Sequence, residues 1–335
     1  MGAFAVAAVL AAGLLAGCGR EEDGAARRAP ANRAPSPAIE ARSPASFRAF
    51  VALEGRGAVA VLDSRPRWHV ARRTRVAGGP HNLEVSPDGR FVAVTSPPAG
   101  RVTVFDATGR RVADARVPGM PHDLVFTRDS GRLWITVEGG GRLVEIAPRT
   151  GRRVRDVPAY GRPHDLALSG DGRRLWVTLD GSDSVQEHSA GTGRLLRRHE
   201  LGGAPHDLAF DPSGRRVWLS NTASSSLTVA AASGRKLGSM AAGTEPHHFV
   251  FGLGRLWASD HGGGTVMRID PRRRRVLQRT SVGPEPHHLA VAGAEVLVAV
   301  HGSGRVVVLS RRGRLLDTVS VGAGPHGIGA ARAPR

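Results

Sequence analysis

Apolar residues recur along most of this chain in short alternating runs, which are separated by turns rich in glycine and aspartate. Residues 164–201 show the pattern most clearly, because four runs follow one another there: 164–169, 174–179, 185–189 and 195–201. Each run has the length and alternation of a β-strand, and the Gly-Asp-Gly and Gly-Thr-Gly segments between runs favour tight hairpin turns. Four short antiparallel strands in one unit predict a blade of a β-propeller.

The unit repeats around a Pro-His dipeptide, whose histidines are His81, His122, His164, His206, His247, His287 and His326. Subtracting neighbouring residue numbers gives 41, 42, 42, 41, 40 and 39. This period is typical of propeller blades or helical arrays, and helical periodicity is absent from the repeats. We therefore predict an all-β fold for residues 47–335, a seven-bladed β-propeller with four antiparallel strands, lettered a to d, in each blade.

The two ends of the repeat array predict how the propeller closes. Three strands precede the first Pro-His dipeptide (47–53, 58–63 and 68–76), whereas the last dipeptide opens only one strand, 326–330. Three strands plus one strand make the seventh blade. We expect the N-terminal strands b, c and d to pair with the C-terminal strand a, which leaves no open terminal blade.

One column on strand b holds a tryptophan in four repeats: Trp134, Trp176, Trp218 and Trp257. Val92 and Leu297 take its place in two other repeats. Each blade packs against a neighbour on both faces, so large side chains in one column are expected to fill the space between blades. Exposed tryptophans would instead indicate carbohydrate binding. We predict that this column belongs to the core.

The N-terminal residues have a different composition from the repeats. Residues 4–17 form an apolar run, which is typical of a secretory signal peptide and short for a membrane span. The run ends in Leu-Ala-Gly-Cys at 15–18, which resembles a bacterial lipobox, and Cys18 is the only cysteine of the chain. We predict a lipoprotein signal peptide at 1–18, a membrane anchor at lipidated Cys18, and a disordered tether over the Pro-, Ala- and Arg-rich residues 19–46.

Arginine supplies almost all of the formal net charge of +18, because Lys236 is the only lysine. The turns a–b and c–d carry Arg90, Arg110, Arg111, Arg132, Arg152, Arg153, Arg173, Arg174, Arg215, Arg216, Arg272 to Arg275, Arg311, Arg312 and Arg314. This arginine-rich face is expected to meet anionic lipid headgroups or cell-wall polymers, unless the turns are simply solvated. Nucleic acid is not an expected partner, because aromatic residues, which single-strand readers use for stacking, make up only 4% of the chain.

The opposite face collects the Pro-His histidines and one column at the b–c turns: Glu54, Ser96, Glu138, Asp180, Thr222, His261 and His301. We predict that this His-rich face is the functional one. The candidate ligand-binding residues are His81, His122, His164, His206, His326, Glu138 and Asp180. A histidine that recurs in every repeat can instead be structural, hydrogen-bonded within its blade.

Four further histidines break the repeat in two neighbouring blades. His248 and His288 double the Pro-His histidine, and His261 and His301 occupy the b–c column. Neutral imidazoles that converge on an axis are ligands for Cu, Zn or Ni. We therefore predict a transition-metal site formed by His247, His248, His261, His287, His288 and His301.

Repeats of the form Gly-x-x-Pro-His-Asp-Leu-Ala-x-Ser-x-Asp-Gly-Arg-x-Leu-Trp-Val-Thr resemble those of the YVTN/YncE-like seven-bladed β-propellers, over residues 47–331. This resemblance implies an exported bacterial protein, and it implies little about activity. More distantly, the Pro-His and Leu-Trp-x-Thr repeats are similar to those of streptogramin lyases. The propeller of nitrous oxide reductase, whose copper cluster is held by histidines at the hub, is a second distant resemblance.

Two functions of different classes remain open. The first is a non-catalytic, exported and membrane-anchored propeller that binds a ligand, a metal ion or a protein partner through its His-rich face. The alternative is a metal-dependent enzyme at the same face, either lyase-like with a histidine as general base or redox-active with copper. The repeats contain no nucleophile elbow, Walker loop or cysteine metal motif.

Overall fold

The computed structural model describes residues 45–334, which form seven sheets of four antiparallel strands each, arranged in a ring. The fold is therefore the predicted seven-bladed β-propeller. Blade 7 contains β1 (Phe47–Leu53), β2 (Ala58–Asp63), β3 (His69–Arg75) and β28 (Pro325–Arg332). Blade 1 contains β4 (Leu83–Val85), β5 (Phe91–Ser96), β6 (Arg101–Asp106) and β7 (Arg111–Arg116), and blade 2 contains β8 (Pro121–Phe126), β9 (Leu133–Val137), β10 (Arg142–Ala147) and β11 (Arg152–Pro158).

The other four blades follow in chain order. Blade 3 contains β12 (Pro163–Leu168), β13 (Arg174–Leu179), β14 (Ser184–Ser189) and β15 (Leu195–Glu200), and blade 4 contains β16 (Leu208–Phe210), β17 (Arg216–Asn221), β18 (Ser226–Ala231) and β19 (Lys236–Ala241). Blade 5 contains β20 (Pro246–Gly252), β21 (Arg255–Asp260), β22 (Thr265–Asp270) and β23 (Arg275–Ser281), and blade 6 contains β24 (Pro286–Ala292), β25 (Glu295–Val300), β26 (Arg305–Ser310) and β27 (Leu315–Ser320). Strands a of neighbouring blades contact one another all the way round, so they line the central channel.

Blade 7 closes the ring in the predicted way. Its strand order is β28, β1, β2, β3, so the C-terminal strand pairs with the first strand of the described chain. The antiparallel register places Val51 opposite Ile328 and Leu53 opposite Pro325. The three N-terminal strands and the one C-terminal strand thus form a single sheet, and the described propeller has no unpaired terminal blade.

The tryptophan column is buried, as the sequence predicts. Trp134, Trp176, Trp218 and Trp257 are each at most 1% exposed, and Trp218 packs with Phe249 of the next blade. Blade 1 differs from the prediction by one residue, because β4 pairs Glu84 with Ala93 just as β8 pairs Val125 with Trp134. Ala93 therefore takes the tryptophan position rather than Val92. By the same shift, Pro97 rather than Ser96 opens the b–c turn of that blade.

The N-terminal predictions fall outside the described residues. These are the signal peptide at 1–18 with its lipidated Cys18 and nearly all of the tether at 19–46. Between residues 45 and 334, no helix is long and apolar enough to cross a membrane.

Candidate functional site

In four blades, a hydroxyl on strand b fixes the backbone of the Pro-His segment in the next blade. In blade 3, Thr178 Oγ1 accepts a hydrogen bond from Asp165 N at 3.0 Å and donates one to the carbonyl oxygen of His206 in the next blade at 2.7 Å. The same donation to the next histidine carbonyl is made by Thr95 to His122, by Thr136 to His164 and by Ser220 to His247, at 2.7, 2.6 and 2.8 Å. Sequence reasoning missed this role, although the threonine of Leu-Trp-x-Thr was visible in the repeat.

The seven Pro-His imidazoles form a closed ring around the channel axis, which we call the histidine ring. Successive ring centroids lie 4.9, 3.9, 4.3, 4.5, 4.5 and 4.2 Å apart along the chain from His81 to His326. A last contact of 3.7 Å between His81 and His326 completes the circle. The repeat therefore places seven imidazoles in mutual contact, including five that were predicted as ligand-binding residues.

The residues that follow these histidines form a second tier, deeper in the channel. Asp123 Oδ2 accepts a hydrogen bond from Leu166 N of the next blade at 3.1 Å, and Asp207 Oδ2 accepts one from Phe249 N at 3.1 Å. His248 stands in the same column, and its Nδ1 accepts from the backbone N–H of Leu289 at 3.2 Å. The second histidine of each doubled pair thus occupies the aspartate column, and for His248 that position carries an inter-blade hydrogen bond.

The b–c turns form the outer mouth on the other side of the histidine ring. His261 Nδ1 lies 3.2 Å from Glu245 Oε2, and His301 Nδ1 lies 3.2 Å from Glu285 Oε2. The predicted Glu138 and Asp180 both contact the guanidinium of Arg162 here, at 3.7 and 2.7 Å. Carboxylates therefore accompany the histidines at this mouth, and Glu245 and Glu285 are two that sequence reasoning missed.

The six histidines predicted to bind metal form one connected set that spreads over three levels. The rings of His261 and His301 lie 4.7 and 5.2 Å from that of His287 at the mouth side. The rings of His248 and His288 lie 4.2 Å apart in the deeper tier. The ring centroid of His288 lies 6.4 Å from that of His287. Their joint action as metal ligands stays a prediction.

Two other sets of three side chains bring their ligand atoms within 4.8 Å of one another in the described chain. The first set is Glu54, His81 and His326, and the second is His122, His164 and Asp165. Neither set includes one of the six predicted metal ligands. Both lie in or beside the histidine ring, so the ring itself is the better candidate for a cation.

The two sets differ in the protonation state of their histidines. Burial opposes protonation of His164, but the carboxylate of Asp165 outweighs it and raises the pKa of His164 to about 9. Burial would raise the pKa of Asp165, but the surrounding histidines, first of all His164, hold it well below its usual range. The second set therefore contains an imidazolium paired with a carboxylate at neutral pH, and an imidazolium has no lone pair for a metal.

The members of the first set have protonation states that allow metal coordination. Burial lowers the pKa of both His81 and His326, so their imidazoles stay neutral. The neighbouring imidazoles of His301 and His81 lower the pKa of Glu54, which keeps its carboxylate ionised. Two neutral imidazoles and one carboxylate are a common zinc donor set, which leaves a coordination position open.

Several ring nitrogens are buried without a hydrogen-bond partner. The Nδ1 atoms of His206, His247, His287 and His326 are in this state. His326 is the most buried of them by exposed area, at 4%. Buried polar atoms in proteins are nearly always paired, so a row of unpaired imidazole nitrogens around one axis is the arrangement expected of a site that receives a ligand.

The far end of the channel opens into a cavity of about 670 Å³ that the a–b turns border. Its apolar lining includes Leu124, Leu166, Leu208 and Phe249, and its polar lining includes Glu84, Asp123, Asp165 and Asp207. Burial, reinforced by the charge of Asp165, raises the pKa of Asp123 to about 7. Burial also raises the pKa of Glu84 and of Asp207. Burial therefore disfavours the charged forms of Glu84, Asp123 and Asp207, whereas Asp165 stays ionised beside its histidines.

No protein-family model matches the chain, and no curated protein matches it by sequence. Solved structures match by fold. The periplasmic gluconolactonase PpgL of Pseudomonas aeruginosa has a TM-score of 0.71 and 20% identity, over 86% of this chain and 100% of the other. A catalytically inactive virginiamycin B lyase from Staphylococcus aureus with quinupristin gives 0.67 and 16%, over 86% and 96%. Apo AztD from Citrobacter koseri gives 0.66 and 14%, over 87% and 99%. At these identities the similarity shows that the chain shares their β-propeller fold.

Proposed function

We propose that this protein is an exported metal-binding β-propeller whose histidine ring takes up a first-row transition-metal ion, zinc by its donor set, without turning over a substrate. The observation that carries the proposal is the set of Glu54, His81 and His326, whose ligand atoms lie within 4.8 Å of one another. Imidazole and carboxylate together suit Zn, and imidazole alone also suits Cu and Ni.

The route to this set supports uptake from the outer mouth. The Glu54 side chain is 40% exposed, whereas His326 is only 4% exposed. An ion can therefore be met first by an accessible carboxylate and then held by imidazoles that are shielded from water. Removal from water strengthens the attraction between the ion and its ligands.

The alternative is a metal-dependent enzyme, lyase-like or redox-active with copper, at the same site. The observation that favours it is the number of protein ligands, because three ligands leave one position open for water or a substrate. The solved propellers of the same fold include a lactonase and a lyase by name. Turnover by the metal-loaded protein, lost in the variants below, would decide for the enzyme.

The exported location and the membrane anchor rest on residues 4–18, with their apolar run and lipobox-like end. The YVTN/YncE-like family rests on the repeat motif of residues 47–331. The gluconolactonase of the same fold is itself periplasmic by name. A histidine ring on an exported, anchored propeller suits a carrier or a store for metal outside the cytoplasm.

Zinc titration tests the proposal. The probe is Zn²⁺ alone, in competition with a chromogenic chelator, on full-length protein carrying Cys18→Ala so that the only thiol cannot bind zinc. We expect one tightly bound ion, with affinity weakened in His81→Ala and His326→Ala by more than the ~10–100-fold that changes around metal ligands cost. His69→Ala is the matched control, because His69 lies exposed on β3, the outer strand of blade 7. Absence of tight binding, or an equal loss in the control, would refute the proposal.

A further inference from the structure

The set of Glu54, His81 and His326 draws its members from both ends of the propeller chain. Glu54 directly follows β1, the first strand, and His326 lies in β28, the last strand. His81 precedes β4 in the adjacent blade. The histidine ring therefore has one place where a cation would touch the N-terminal strand, the C-terminal strand and the next blade at once.

The backbone pairing of the two terminal strands is interrupted beside this set. The register between β1 and β28 shifts between Val51 and Leu53, where the pairing with Ile328 gives way to the pairing with Pro325. Pairing continues past the shift through Glu54 N, which donates to Gly324 O at 2.8 Å. Strands a and b of blades 2, 3, 5 and 6 show the same shift, so it belongs to the repeat. At the seam this irregularity, which leaves a residue unpaired, falls between the two terminal strands.

No covalent bond or close ion pair joins the side chains of Glu54, His81 and His326 to one another. His81 and His326 contact each other by stacking, with their ring planes 29° apart. Glu54 Oε1 lies 3.6 Å from His81 Nδ1, beyond a good hydrogen bond. Nδ1 of His326 has no hydrogen-bond partner. The donor atoms are present and close together, and a cation is the partner that all three can share.

We propose that the ion bound by Glu54, His81 and His326 acts as a clasp that holds the first and last strands of the propeller together. The clasp rests on the proposed metal binding and adds a structural consequence to it. An ion that needs both strands in place binds only the closed form. Binding therefore lowers the population of the form in which β28 has separated from β1.

Hydrogen exchange of backbone amides tests the clasp in the intact protein. Local opening at a seam is expected to be separate from global unfolding. With zinc at 100 times its dissociation constant, linkage predicts that exchange of amides in β1 and β28 slows by up to ~100-fold. Amides of β17 in blade 4, across the ring, should change less than about twofold under the same sub-global conditions.

Two carboxylate variants make the test specific. Glu54→Gln removes the ligand from the seam, and we expect zinc to lose its effect on β1 and β28. Glu200→Gln is the matched control, because Glu200 is an exposed carboxylate at the end of β15, the outer strand of blade 3. The control should keep the zinc-dependent slowing.

The outcomes separate the clasp from metal binding itself. If zinc binds the unaltered protein and β1 and β28 exchange no more slowly, the clasp is wrong and the proposed function stands. If Glu54→Gln keeps the slowing, the clasp is also wrong. If no zinc binds, both fail. The comparison of unaltered protein with and without zinc needs no variant, so poor folding of Glu54→Gln would not leave the clasp untested.

Discussion

His81 and His326 stack with their ring centroids 3.7 Å apart, although one opens the first complete repeat and the other lies in the last strand. The contact exists because β28 pairs with β1 and so stands beside β4 of blade 1. It is the last of seven contacts that close the histidine ring. The candidate metal site is therefore a product of ring closure, since no continuous stretch of chain contains it.

The hydroxyl of Thr178 should stabilise the fold measurably. Thr178→Val keeps the shape of the side chain but leaves Asp165 N and the carbonyl oxygen of His206 without their buried partner. Each unsatisfied buried group costs about 1–3 kcal/mol, so we expect the free energy of unfolding to fall by at least about 1 kcal/mol in urea titrations. Thr192→Val, at an exposed turn, is the control and should stay within about 0.5 kcal/mol. Equal stability of both variants would refute the role of the hydroxyl.

The pair of His164 and Asp165 should make stability depend on pH. The pKa of His164 is raised from 6.5 to about 9 in the folded protein, where burial opposes and Asp165 favours the charge. Stabilisation by a raised pKa is complete below pH 6.5 and is lost as pH rises through 9. A shift of this size corresponds to about 3 kcal/mol. Urea titrations from pH 6 to 9.5 should show the loss.

The same pair should also lose its stabilising effect in acid, and Asp165→Asn tests its contribution. The pKa of Asp165 is lowered in the folded protein, so its stabilisation is present above its unfolded value and is lost as pH falls below about 4. The other charged groups around His164 are Glu138 and Asp123. Asp165→Asn should therefore destabilise the protein at pH 6 and flatten most of the slope between pH 6.5 and 9. An unchanged slope in this variant would show that other groups set the dependence.

The membrane anchor can be tested independently of the propeller. Cys18→Ala should move the protein from the membrane fraction to the soluble exported fraction, or leave it unprocessed, because each buried methylene of an acyl chain contributes about 0.8 kcal/mol to membrane binding. Ser36→Ala, in the predicted tether, should leave the distribution unchanged. A membrane fraction that Cys18→Ala does not alter would count against lipidation.

The fold could be predicted because the same sequence pattern recurs in every blade. Alternation at period two, turn residues and a near-constant spacing each specify the same blade seven times, and the incomplete ends specify the seam. Blade 1 is the exception, because Ala93 carries no tryptophan to mark its column. Only the pairing of Glu84 with Ala93 identifies that position, which the sequence pattern assigns to Val92.

The site could be predicted only in part, because its members interact around the axis rather than along the chain. The histidine column was visible in the sequence, but the hydrogen bond from Leu289 N to His248 was not, and it gives an inserted histidine the role of an aspartate. The pairing of Asp165 with His164 was also invisible, because a carboxylate that recurs in three repeats gives no sign of which copy is ionised. In the sequence, Glu54 is one member of the b–c column, and only the closure of blade 7 shows that it lies beside His326.

Anomalous X-ray scattering at the zinc edge, from crystals grown with Zn²⁺, tests the central claim most directly. The account predicts one strong peak in the channel, with the carboxylate of Glu54 and a ring nitrogen each of His81 and His326 at about 2.0–2.2 Å from it. A channel without a peak would contradict metal binding by the histidine ring. A peak held instead by His261, His287 and His301 would contradict the assignment to Glu54, His81 and His326.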